Sequence, residues 1–122
     1  MSETVAIAPP NALIFISDAS GGTVPEFVAK LPVLATDTMV SVSCLPDMDG
    51  ETQITLGPAL EVGSVGFPVF DGTIKTPTST VVVSTVEDEE LLAAAVPSRE
   101  TRIRVWTNRT MDPDEIVVAW GG

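Results

Sequence analysis

The chain has 122 residues, 44% apolar and 19% charged, with no His, no Tyr and a single Cys. Seventeen acidic residues against six basic ones give a net charge of −11. This composition excludes a disordered chain, an internal disulfide, a His-dependent catalytic triad and an imidazole zinc site, and it disfavours nucleic acid and anionic membranes as partners.

The charge is unevenly spread along the chain. Residues 1–98 hold 13 acids and two bases, Lys30 and Lys75, while residues 99–122 hold four Arg and four acids. The length suits one domain over residues 1–122 that buries roughly 65% of its unfolded surface. No apolar run is long enough to cross a membrane as a helix. The start, Met1-Ser2-Glu3-Thr4, has no basic segment of the kind that opens a signal peptide. With one Cys, this points to the cytoplasm.

Turn signals recur at Pro9-Pro10-Asn11, Gly21-Gly22, Pro46 to Gly50, Gly57-Pro58, Asp71-Gly72, Pro97-Ser98 and Asp112-Pro113. The Val/Ile/Thr runs between them predict strands over Ala12–Ser17, Thr38–Cys44, Thr52–Leu56, Gly72–Lys75, Thr80–Thr85, Thr101–Asn108 and Glu115–Trp120. Short strands at that spacing predict an all-β fold: an antiparallel β-sandwich of seven or eight strands, with at most one short helix. Period two puts Val40, Val42 and Cys44 on one apolar face, so Cys44 reads as a buried small hydrophobe. Val24–Leu34 has room for two helical turns between Pro25 and Pro32. Glu87–Ala95 has two readings. One is a helix capped by Thr85, and the other is a strand over Leu91–Val96.

Three clusters are candidate sites. Asp47-Met48-Asp49-Gly50 begins like a calcium loop but lacks the later ligands, so it reads as a polar hairpin turn with Gly50 at positive φ. The acid run Glu87, Asp88, Glu89 and Glu90, with Asp112, Asp114 and Glu115 as a second group, reads as a docking charge for a basic protein partner. Its alternative is a solvated surface. On Thr101–Asn108, period two brings Arg102, Arg104 and Trp106 to one face, with Ile103 and Val105 opposite. Arg beside Trp suits stacking on a small ligand or sugar ring. The alternative is a ladder of arginines held by the protein's own acids. No Gly-rich phosphate loop is present and no acid pair is singled out as catalytic, so the chain reads as a non-enzyme without cofactor or metal.

The second half resembles the competence-protein-J family, small acidic inhibitors of a DNA-uptake nuclease. The resemblance rests on Val65-Gly66-Phe67-Pro68, Asp71-Gly72-Thr73-Ile74, the strand Ser79–Ser84, the turn at Val96-Pro97, the strand ending Val105-Trp106-Thr107, and the closing segment Asp112–Val118. The turn Val96-Pro97-Ser98-Arg99-Glu100-Thr101 departs from the family's Leu-Pro-x-Gly pattern. The resemblance implies a β-sandwich that inhibits a nuclease by presenting acids to a basic active site.

The leading expectation is therefore a non-catalytic acidic binding protein, in its most concrete form an inhibitor or immunity-type partner of a nuclease or other basic protein. The rival readings are a carbohydrate or small-ligand module built on Arg102, Arg104 and Trp106, and a phage-like structural subunit that self-associates into homo-oligomers.

Overall fold

The branched apolar runs pair into two five-stranded sheets in a computed structural model that describes residues 2–26, 31–62 and 66–121. Among the described residues ten strands follow one another, where seven or eight were expected: β1 (Glu3–Ile7), β2 (Leu13–Asp18), β3 (Val33–Ala35), β4 (Met39–Ser43), β5 (Thr52–Pro58), β6 (Phe67–Lys75), β7 (Thr80–Thr85), β8 (Glu90–Ala95), β9 (Glu100–Thr107) and β10 (Glu115–Trp120). The first sheet has the order β1-β5-β10-β9-β6 and the second β3-β4-β2-β7-β8. All pairings are antiparallel except β5 with β10.

Alternation along the strands builds the core. Ile14 and Ile16 of β2, Val40 and Val42 of β4, and Val81 and Val83 of β7 form one inner face. Ile54 of β5, Ile103 and Val105 of β9, and Ile116 and Val118 of β10 form the other. Cys44 joins this core, and burial pushes its thiol up to about 11, which removes it as a nucleophile at neutral pH.

Several sequence expectations change, and Gly57-Pro58, expected as a turn, is the end of β5. β1 was not anticipated; it pairs with β5 along Glu3–Ile7. The Glu87–Ala95 helix is replaced by the strand reading, because Val83 opposes Leu92 and Leu92 is buried. The expected cap is nevertheless present. The Thr85 hydroxyl accepts hydrogen bonds from the Glu87 and Glu89 N–H groups at 3.2 and 3.3 Å. It closes a hairpin turn instead of opening a helix, with Asp88 at φ 63°. Cross-strand pairing outweighs the high helix propensity of Glu, Leu and Ala, because propensity is a weak preference that tertiary context overrides.

Asp71-Gly72 is not a turn but the middle of β6. A Cβ at Gly72 would lie 2.7 Å from the tip of the Phe70 ring, so a larger residue there would push that ring aside. Pro46–Gly50 has Gly50 at φ 135°, as expected, but carries the chain from β4 in one sheet to β5 in the other, so it is not a hairpin. The two-turn helix over Val24–Leu34 fails at its end, where Val33–Ala35 is strand; residues 27–30 lie outside the described residues, as does Val65. Among the described residues no helix is long and apolar enough to cross a membrane.

Candidate functional site

Strand register decides where the acids gather. At one end of the sandwich, the start of β2 lies beside the end of β4 (Leu13 opposite Ser43) and the end of β7 (Ile14 opposite Thr85). The Leu45 N–H donates to the Pro113 carbonyl at 2.9 Å, which draws the β9–β10 loop to the same end. The starts of β5 and β10 run in parallel there, with Gln53 opposite Glu115.

Three loops therefore converge at this pole. The β4–β5 loop brings Asp47, Asp49 and Glu51, the β7–β8 turn brings Glu87, Asp88, Glu89 and Glu90, and the β9–β10 segment brings Asp112, Asp114 and Glu115. These are ten of the seventeen acids. Among the described residues the one cation on these loops is Arg109, which pairs with Asp114 at 3.4 Å. Asp114 also accepts from the Asn108 amide at 2.6 Å. Asp114 is thus engaged within the protein. The four carboxylates of the β7–β8 turn are exposed and have no ion pair among the described residues. Met48 and Met111, 92% and 77% exposed, stand among the acids.

Asp47 and Asp49 flank a single turn of 3₁₀ helix. Among the described residues no group of three or more His, Cys, Asp or Glu side chains is arranged to hold a metal ion.

The Arg/Trp strand has the alternation expected of it: Arg102, Arg104 and Trp106 on the outer face, Ile103, Val105 and Thr107 inside. Its cations have internal partners. Arg102 donates through Nε and a terminal nitrogen to both oxygens of Asp71, at 2.9 and 2.7 Å. This hydrogen-bonded guanidinium holds the Asp71 carboxyl below its ordinary range. Arg104 sits over the Trp106 ring, 5.7 Å from its centroid, and donates to the Gly121 carbonyl at 3.3 Å. Asp71 was within reach of sequence reasoning only if β6 had been drawn long enough to lie beside β9.

One functional-looking carboxylate escaped the sequence reading altogether. Asp18, 1% exposed, accepts four hydrogen bonds: Ser20 N–H (2.8 Å) and hydroxyl (2.6 Å), and Thr78 N–H (3.0 Å) and hydroxyl (2.8 Å). Burial pushes its pKa up, but these donors outweigh it and hold Asp18 below the ordinary 3.8. Its role is to tie the turn after β2 to the turn before β7, at the end opposite the acidic pole.

No protein-family model matches the chain. No curated protein matches it either. Two solved structures share its fold. ComJ from Bacillus subtilis, an inhibitor of the DNA-degrading activity of NucA, superposes with a TM-score of 0.70 at 11% identity, over 97% of this chain and 93% of that one. The product of crocagin biosynthetic gene J superposes with a TM-score of 0.55 at 10% identity, over 98% and 94% of the two chains. The likeness to ComJ thus extends beyond the second half of the sequence to nearly the whole chain, as a likeness of fold.

Proposed function

We propose that this protein is a non-catalytic inhibitor that docks onto a basic protein, in its most concrete form a nuclease, through the acidic pole. The observation that carries the reading is the convergence of ten acids on one end of the sandwich, with Arg109 as the one cation of those loops among the described residues. Carboxylates gathered at one end of the molecule repel one another, and a cationic surface relieves that repulsion. A nuclease has such a surface where it receives the phosphate backbone. An acidic end that occupies it excludes DNA without any bond being made or broken. The exposed methionines Met48 and Met111 add soft apolar contacts, of the kind found at the centre of protein interfaces.

The fold that this chain shares with the NucA inhibitor ComJ supports the same reading. The test is titration of the purified protein into a native extract of its source organism while DNA degradation is followed. Degradation should fall in proportion to added protein, and the effect should weaken as salt rises. Unchanged degradation at all ratios, with no basic protein retained on the immobilised chain, would reject the proposal.

A further inference from the structure

The outer face of the second sheet is not the polar surface that a sandwich usually turns to water. Residues paired across strands share a face, so Phe15 lies between Ser41 and Ser84, and Ser17 between Met39 and Val82. Small serines at the centre and larger apolar groups beside them leave an open trough of about 460 Å³. It runs along β2 and β7 for five residues, about 17 Å. Its floor is Phe15, Ser17, Met39, Val82 and Ser84. Gly21 and Gly22 edge it at the Asp18 end. At the other end its lip is Asp88 and Glu90, both exposed and without an ion pair among the described residues.

We infer that this trough is the specificity subsite of the docking surface, and that it takes an extended partner segment in which an apolar side chain is flanked by Lys or Arg. The inference rests on the acidic pole being the docking end. Charge complementarity selects the occupant. A cation at the lip meets Asp88 and Glu90, and the side chain two positions along the segment, on the same face of the extended backbone, lies over Phe15 and Val82. The volume suits one large side chain with its flanking backbone. An acidic or wholly polar segment gains nothing at either end. Asp18 also lines the trough, but its carboxylate is already saturated by Ser20 and Thr78, so it offers no site for a second cation.

The experiment uses the full chain and synthetic peptides. One peptide carries Leu with a Lys two positions to either side, a second carries Ser in place of that Leu, and both are titrated while backbone amide resonances are recorded. The Leu peptide should bind about tenfold tighter than the Ser peptide, the effect of burying one apolar side chain. It should move the Phe15, Ser17, Val82 and Ser84 resonances. Ser84→Trp, which fills the trough from an outer-face position, should remove the tenfold preference and leave the thermal midpoint unchanged. Ser17→Thr provides a milder second variant if Ser84→Trp fails to fold. Equal affinity for the two peptides, shifts confined to the Glu87–Glu90 turn, or no binding would each overturn the subsite. Nuclease inhibition by the acidic pole would then still stand or fall on the extract titration.

Discussion

The two ends of the sandwich use charge in opposite ways. At the end away from the pole, Asp18 is saturated by four donors, Arg102 is clamped on Asp71, and Lys75 meets Asp37 at 3.2 Å. At the pole, four adjacent carboxylates of one turn face solvent without an ion pair among the described residues. A charge matched inside the molecule is not available to a partner; it contributes to the fold where it is buried, as at Asp18, and little where the pair is exposed, as at Arg102 and Asp71. An unmatched one opposes the fold weakly through like-charge repulsion and favours association with an oppositely charged surface. Charge counted along the chain hides this division, because strand register, and not sequence order, sorts the acids into the two ends.

The contrast is sharpest at Asp18. Asp18→Ala removes the acceptor of two N–H groups and two hydroxyls in a part-buried clamp, and should destabilise the protein by about 2 kcal/mol. A urea-denaturation midpoint measures this, and a loss below about 1 kcal/mol would mean that the clamp is not structural. The pH dependence follows with a definite sign. The folded pKa of Asp18 lies below its ordinary 3.8, so its contribution is fully present above that value. It is lost as pH falls through the folded pKa, and Asp18→Asn should flatten the stability curve there.

Neutralising the pole should do the reverse. Replacing Glu87, Glu89 and Glu90 by Gln and Asp88 by Asn should hold or raise the thermal midpoint, by removing like-charge repulsion. Smaller effects belong to the β9 face. Trp106→Ala removes a half-buried ring and its contact with Arg104, and should cost about 1 kcal/mol of stability while inhibition is retained. Loss of inhibition with an intact fold would move the docking surface to the other sheet. Arg102→Ala should leave the denaturation midpoint nearly unchanged, since an exposed ion pair contributes little. Cys44 should resist thiol reagents in the folded protein and react only after unfolding, in keeping with its burial.

The sandwich was legible because Val42, Ile103 and Val105 alternate with Ser41, Ser43, Arg102 and Arg104, while residues 116–119 are a short continuous apolar run, and both patterns are local signals. β1 was not legible: Glu3–Ile7 is short, carries a polar start, and becomes a strand only because β5 offers it a partner. Leu91–Ala95 has no helical or strand period strong enough to decide, and β7 decided it. The acid run itself was visible as a run. Its company was not, since Asp47, Glu51 and Asp112 come near Glu87 only through the pairing of β2 with β4 and β7 and the Leu45–Pro113 hydrogen bond. The trough was equally hidden, because Phe15, Met39 and Val82 sit on three strands that are distant in sequence.

The central claim is that the β7–β8 turn is the docking charge of the pole. Its most direct test is the salt dependence of affinity for the retained basic partner, compared between the native chain and the variant with Gln, Asn, Gln and Gln at positions 87–90. The account predicts a steep fall of affinity with salt for the native chain, a shallower one for the variant, and at least a tenfold difference at low salt. Coincident affinities and slopes would contradict it.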